Sequence, residues 1–469
     1  MAIYVEWEFY MGGFDGIITT NDGIPYDATD FTSRVVDISY NASVEIGKVG
    51  SASASVRLNN ADGAFTPTGF GTYADWDYFA NPVFIRAKSG TNPASLTAQP
   101  PLFAGLVSDV QFYDDGFDSY IDLDCDDAFV LLGRLATNAD YDNLLDSKPI
   151  WEISTDIVNN YTATGAIPKF GSFFTYYNNE AISPESFNRS GVDAGTTGAE
   201  LEISADAGSF VGDLVGDFAV AEHGVVFPML MDFQTIAGFP GNSVLYYQHG
   251  FLARDWLWSG TSTYGADDEF HFKKVDLTGA ELPFYQPKIG YNVEQVITNA
   301  DTAVIGGLIQ QSVNSTSLAA YGPRTAEFTE LPMAYDSQAL ELAEHLTTRY
   351  DTVRFGVLQI TTSGGAIRSK CADTALAQVN RLLRAPTVGV YGSNDQGKVL
   401  GALFSPMFIE FDGAGGVTLD SRVAFTKVSF SIGSIDWEMT LSDGHPALET
   451  FGFVLGEDEY GVIGTNKVA

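Results

Sequence analysis

Four carboxylates fall within six residues in the stretch YIDLDCDD (120–127): Asp122, Asp124, Asp126 and Asp127. Three roles are open to such a set: holding a hard cation, meeting bulk water, or repelling something of like charge. A calcium loop has carboxylates at i, i+2 and i+4, but it needs glycine at its sixth position, which here is Asp127. The alternation with Ile121, Leu123 and Cys125 fits a β-strand better, with an apolar face and a row of three carboxylates opposite. The reading is therefore a strand, with no metal and no cofactor.

Other chemistry is sparse. The histidines are His223, His249, His271, His345 and His445, and none forms an HExxH motif or a close pair. Glu222-His223 and Glu344-His345 read as packing or surface dipeptides. There is no nucleophile elbow, P-loop or dinucleotide fingerprint, and Gly69-Phe70-Gly71 is too short to count. A glycosidase would use two carboxylates, but nothing here singles out two. No catalytic residue is predicted, which favours a structural or binding protein over an enzyme.

The elements that must position the carboxylates read mainly as β, with a few helices, an α+β class. Val5, Trp7 and Phe9 alternate with Glu6 and Glu8, and SASASVRLNN (51–60) alternates Ala52, Ala54, Val56 and Leu58 with polar residues. It stops at a turn cluster, Asn59 to Gly63. PVFIRAK (82–88) leads to a hairpin of LFAGLVSDVQFY (102–113) and the aspartate strand. Residues 136–285 differ: they are rich in Asn, Gly, Ser and Thr. Phe210, Leu214 and Phe218 predict an amphipathic helix there, followed by strands 224–233 and 244–254. From 286 a second β region begins. A helix starts near Asp336, a candidate N-cap, and is lined by Ala339, Leu342, Ala343 and Leu346; another runs over 372–384, followed by a strand at 387–392 and a hairpin at 423–444.

The expected domains are 1–135, a first tube-like β-barrel; 136–285, a central α+β insertion; 286–385, a second β region with helices; and 386–469, the closing strands of a second barrel and a tail. The two barrels are expected to be related, because the hairpins echo each other. Val110 and Phe112, then Ile121, Leu123 and Cys125, match Val428 and Phe430, then Trp437, Met439 and Leu441. Outward positions then match Asp122 with Glu438, Asp124 with Thr440, and Asp126 with Ser442.

Composition narrows the partners. With 60 acidic and 24 basic residues the formal net charge is −36, which argues against gripping nucleic acid through its phosphates. It suits a protein that repels polyanions, or one from a saline habitat. Cys125 and Cys371 are too few for a disulfide framework. The opening MAIYVEWEFY lacks a basic leader and carries Glu6 and Glu8 where a signal peptide is apolar, so standard export is not expected. No stretch is as long as a membrane span.

Several stretches taken together resemble the minor tail, or tail-tip hub, proteins of long-tailed bacteriophages. That family is related to contractile-phage baseplate hubs and type VI secretion spikes. They are DATDFTSRVVDISYNASVEIGKVGSASASVRLNNADGAFTP (27–67), the hairpin through YIDLDCDDAFVLLGR (102–134), and FVGDLVGDFAVAEHGVVFPM…VLYYQHGFLAR (210–254). SLAAYGPR (317–324), DSQALELAEHLTTRY (336–350) and IDWEMTLS (435–442) complete the series. The central region is long and divergent, and no appended lysin or fibre domain is expected, so cell-wall cleavage is not carried over.

The resemblance implies a structural protein of the virion's tail tip: a homotrimer whose two barrels per chain give a pseudo-sixfold ring. Such a ring adapts a sixfold tail tube to threefold tip components. Implied partners are the distal tail protein and tail tube, the tape-measure protein, and tip fibres or other minor tail proteins. Genomic DNA would pass through without specific binding, and Asp122, Asp124, Asp126 and Glu438 are the expected channel-lining residues. Alternatives are a receptor- or carbohydrate-binding module built on Tyr246, Tyr247, Trp256 and Trp258, a wall hydrolase, and a sixfold distal tail protein.

Overall fold

The structure is a computed structural model. It describes residues 2–12, 28–44, 47–66, 73, 82–99, 101–114, 118–127, 136–137, 139–142, 148–149, 200–201, 204–233, 244–252, 270–274, 277, 279–292, 295–383, 390–391, 403, 407–411, 415–419, 425–433, 436–444, 453–454 and 462–463. The chain is mainly β with helices, an α+β fold.

Alternating sequence becomes one long sheet. Its strands include β1 (Tyr4–Met11), β2 (Val35–Ser43), β3 (Ser51–Asn59), β4 (Pro82–Gly90), β5 (Phe103–Asp114) and β6 (Ser119–Asp127). Between these and the later strands lie α1 (Val211–Glu222) and the hairpin β7 (Val225–Phe233) and β8 (Val244–Leu252). Then come β9 (Tyr285–Asn292), β10 (Asn299–Val304), β11 (Gln310–Val313) and β12 (Thr325–Leu331), followed by α2 (Asp336–Arg349) and β13 (Arg354–Ser363). The series ends with α3 (Gly364–Lys370), α4 (Leu376–Leu382), β14 (Phe425–Ile432) and β15 (Trp437–Gly444).

The twelve-stranded sheet runs β9-β13-β15-β14-β2-β3-β6-β5-β4-β1, with Thr29–Asp30 beyond β1 and Thr97–Ala98 on β4. Two four-stranded units sit side by side in it. The first is β2-β3-β6-β5 and the second is β9-β13-β15-β14. In each, the first and second strands in chain order are neighbours, the fourth follows, and the third lies outermost. The hairpins that echo each other in sequence thus occupy equivalent places. The units join where β14 pairs antiparallel with β2, from Lys427↔Ser43 to Ile432↔Ile38. Hydrogen bonds therefore tie the closing hairpin directly to the start of the chain.

One face of this sheet is packed. Ile38, Tyr40, Val56, Leu58, Ile121, Leu123, Val428, Phe430, Met439 and Leu441 are all buried in a single core. At the joint, Trp7 packs on Phe430 at 4.4 Å and on Trp437 at 6.0 Å between ring centroids. Aromatic pairs at such spacings add to the area they bury.

The rest serves as support. β7 pairs with β8, and lies parallel to Lys48–Val49 and to Val390–Tyr391, so segments from both ends of the chain meet the central hairpin. β10 to β12 form a small sheet under α2, whose Ala339, Leu342, Ala343 and Leu346 are buried as the periodicity predicts. That helix begins one residue earlier than expected, with Tyr335 rather than Asp336 at the N-cap. In the predicted helix near 210, Leu214 is buried but Phe210 is an exposed N-cap, because the helix starts only after it.

Candidate functional site: the polar face of the long sheet

Successive side chains on a strand face opposite ways, so burying the apolar set forces its alternates onto the other face. Register then sets who meets whom. One row crosses both units: Ser363, Glu438, Ser431, Ser39, Ser55, Asp124 and Asp109. The next runs Thr361, Thr440, Ser429, Asn41, Ser53 and Asp126. A further row in the first unit holds Asp37, Arg57, Asp122 and Gln111.

The four sequence-predicted residues therefore share one face. Glu438 and Asp124 even share a row, four strand steps or about 19 Å apart. Their surroundings differ. Asp122 is held by Arg57, whose Nε and Nη2 donate to its two oxygens at 2.7 and 2.8 Å. The same guanidinium lies 4.3 Å from the Tyr120 ring centroid. The Asp122 hydrogen bond, with its charge, raises the Arg57 pKa. Asp122 is thus a neutralised member of the row. Asp124 is exposed, between Ser55 and Asp109. Asp126 is half-buried, between Ser53 and Leu106. Glu438 is exposed and accepts the Tyr285 hydroxyl at 2.7 Å. Burial first, and then this hydrogen bond, push the Tyr285 pKa up to about 12.

Asp127 lies elsewhere. Its carboxylate is buried and accepts the Ala52 N–H at 2.6 Å, fastening the end of β6 to the start of β3. Nearby, β5 bulges between Val107 and Asp109, where the hydroxyl of Ser108 donates to the Asp124 carbonyl at 3.1 Å. Gly105 must stay a glycine, since a Cβ there would come 2.1 Å from the Asp126 carbonyl oxygen.

Sequence reasoning missed the hydroxyls. Ser53 and Ser55 were read only as the polar half of a strand, yet with Ser39, Ser429 and Ser431 they carpet the space between the two acidic places. Across the joint, Ser429 Oγ donates to Asn41 Oδ1 at 2.9 Å, and Thr361 and Thr440 share a hydroxyl hydrogen bond at 3.0 Å. Serine at alternate positions in SASASV and KVSFSI was the available signal. The cations on this face include Arg57, engaged by Asp122, with Lys427 and Lys288 in the second unit.

Among the described residues no group of three or more His, Cys, Asp and Glu side chains is placed to hold a metal ion. His223 and His345, remote in sequence, do meet, with rings 5.5 Å apart, and Tyr350 lies 5.8 Å from His223. Cys125 and Cys371 are buried free thiols; burial pushes the first well up and the second to about 12. No described helix is long and apolar enough to cross a membrane, which says nothing of β-barrels. Trp256 and Trp258, and the side chains of Tyr246 and Tyr247, lie outside the described residues.

No protein-family model and no curated protein matches the sequence. Solved structures align over nearly all of it. A tail protein from Neisseria meningitidis MC58 is 8% identical, covering 93% of this chain and 96% of that one, with a TM-score of 0.46. The 43 kDa tail protein of prophage MuSo2 from Shewanella oneidensis is 10% identical, covering 95% and 100%, at 0.45. A chain of the Francisella PdpA–VgrG complex is 8% identical at 0.41, and the alignment covers 96% of this chain but 55% of that one.

Proposed function

We propose that this chain is a structural protein of a bacteriophage tail, sited at the tail tip, where three copies form a ring around the channel that DNA travels through. The observation that carries this reading is the row from Ser363 through Glu438, Ser431, Ser39, Ser55 and Asp124 to Asp109. Eight strands in two units of like order present one continuous hydrophilic face, while the opposite face is core. A polyanion sliding past such a wall finds hydroxyls and carboxylates but few cations. Binding driven by counterion release needs Lys and Arg at the phosphates, and the Asp122 carboxylate withdraws Arg57 from that role. Repulsion keeps the DNA moving.

Two units per chain give six in a trimer, which suits a ring between a sixfold tail tube and threefold tip components. The distal tail protein and tube, the tape-measure protein and tip fibres are the partners in this arrangement. The chain has no catalytic part in it. Imaging of intact particles tests the reading. The expected result is a threefold ring at the tip, with Asp124 and Glu438 toward the axis. A ring with this face turned outward, or particles lacking the chain, would overturn it.

A further inference from the structure

The N-terminal strand is paired on one side and open on the other. β1 pairs with β4 along its whole length, from Tyr4↔Gly90 to Met11↔Val83. Its other side meets Thr29–Asp30 at Tyr10 and Met11, and then Phe31, whose N–H donates to the Phe9 carbonyl at 2.9 Å. There a 3-10 turn, Thr32–Arg34, carries the chain off β1 and into β2. The Thr32 hydroxyl makes the last contact, accepting the Phe9 N–H at 3.0 Å. Among the described residues no strand pairs with this side of β1 from Tyr4 to Glu8.

The direction of the main-chain groups follows from Phe9. Its N–H and C=O both point away from β4, and successive residues of an antiparallel strand alternate. Those of Val5 and Trp7 therefore point the same way, while those of Glu6 and Glu8 serve the ladder with β4. A cleft of about 320 Å³ runs along this stretch. β1 forms one wall; Val35 and Ile38 of β2, with Ile432 and Trp437 of the closing hairpin, form the other. The cleft thus lies on the apolar side of the joint, away from the serine-rich face. Ile38 and Trp437 are buried, but Val5, Trp7, Val35 and Ile432 are only partly covered. The Trp7 indole N–H is buried and has no hydrogen-bond partner, which is uncommon for tryptophan.

Charge sets the kind of occupant. Glu6 is exposed and has no ion-pair partner among the described residues. Asp436 accepts the Gly365 N–H at 2.7 Å, and the half-exposed Arg368 stands 3.9 Å from it. Glu8 is already taken by Arg86 and Lys88. The lining therefore offers two carboxylates against one loosely placed guanidinium.

We propose that this cleft is a docking site for an extended, basic peptide segment of a partner protein, which adds a short strand to β1 through the main-chain groups of Val5 and Trp7. Main-chain hydrogen bonds supply the affinity. Alternation sorts the side chains: those beside Val5 and Trp7 are apolar, and those on the Glu6 side are cationic. A lipid surface does not suit the cleft, because hydrocarbon offers nothing to an open strand edge and the carboxylates repel anionic headgroups. The site needs no second copy of this chain and stands whether or not the ring does.

The test titrates the full-length chain with a blocked, dye-labelled heptapeptide that alternates lysine with valine, read by fluorescence anisotropy and by amide hydrogen exchange. The peptide should bind saturably and slow exchange at Val5 and Trp7. Val5→Pro removes an N–H that faces the cleft and none from the ladder, so the fold should hold while binding weakens about tenfold or more. Glu6→Lys, at an exposed position, should weaken binding too, most strongly at low salt. A heptapeptide alternating glutamate with valine, and vesicles of phosphatidylcholine with phosphatidylglycerol, should leave exchange at Val5 and Trp7 unchanged. Peptide binding that Val5→Pro does not weaken, without protection at Val5 and Trp7, means attraction to the net charge alone and overturns the site. Absence of binding overturns it as well, and so does protection by the vesicles in place of the peptide. Protection already present in the free chain means that the chain itself or a second copy fills the cleft, and it too overturns the proposal.

Discussion

The two four-stranded units share a strand order and a packed face, yet they present different charges on the opposite face. The first carries Asp37, Asp109, Asp122, Asp124 and Asp126 against one Arg57; the second carries Glu438, Lys427 and Lys288 among hydroxyls. What the units keep in common is what burial demands: apolar alternates whose displacement by one residue would turn every core group to solvent. What they do not share is the face that packing leaves unconstrained.

The comparison breaks hardest at aromatic residues. Phe430 is 2% exposed and touches both Trp7 and Trp437; Phe112, matched to it in the sequence although strand register puts Val110 in that place, is 42% exposed at the edge of β5. Phe430→Ala should cost about 3–5 kcal/mol, as for a fully buried aromatic, and Phe112→Ala about a third of that or less in the isolated chain. Urea denaturation of the two variants measures the difference. Equal losses would mean that the edge is already covered.

The next effect is polar. Asp127→Ala leaves the buried Ala52 N–H without its acceptor, at a cost of about 1–3 kcal/mol. Asp124→Ala, three residues earlier and exposed between Ser55 and a like charge, should be neutral or stabilising. The same denaturation series separates them, and a large loss at Asp124 would show that the row holds the fold together rather than lining a surface.

These neighbours also mark how far the sequence is legible. Ile121, Leu123 and Cys125 announce the strand and its buried side, so the face of Asp122, Asp124 and Asp126 was readable from eight residues. Glu438 was placed on the same face through the echo of the hairpins. The partners were not readable. Arg57 lies 65 residues from Asp122, and Ser429 lies 388 from Asn41. Such contacts depend on which strands pair, and alternation alone gives every strand the same claim on every other. The bulge at Ser108 and the meeting of His223 with His345 belong to the same category: each is settled by a distant neighbour. Phe210 failed for a local reason, since periodicity places residues on a helix face but does not say where the helix starts.

The smallest effects lie in the pH limbs, and here too the units diverge. Tyr285, in the second unit, holds its proton to about 12 against an ordinary 10.0. Its contribution is whole below pH 10 and is lost as pH rises toward about 12, because the unfolded chain ionises first. Tyr285→Phe should flatten the alkaline limb of stability and leave the acid limb alone. Asp62, in the turn after β3, is held at about 2 against 3.8 by the Arg34 guanidinium, which donates to both its oxygens at 2.8 and 2.6 Å. Its contribution is present above pH 3.8 and is lost as pH falls toward about 2. Because the Asp62 side chain is 56% exposed, solvent and salt screen the pair, so Asp62→Asn should cost less than about 1 kcal/mol, and less still at high salt. Stability against pH, measured for both variants at two salt concentrations, should change the alkaline limb in one and the acid limb in the other. An acid limb unchanged by Asp62→Asn would shift the acid sensitivity of the first unit to its aspartate row.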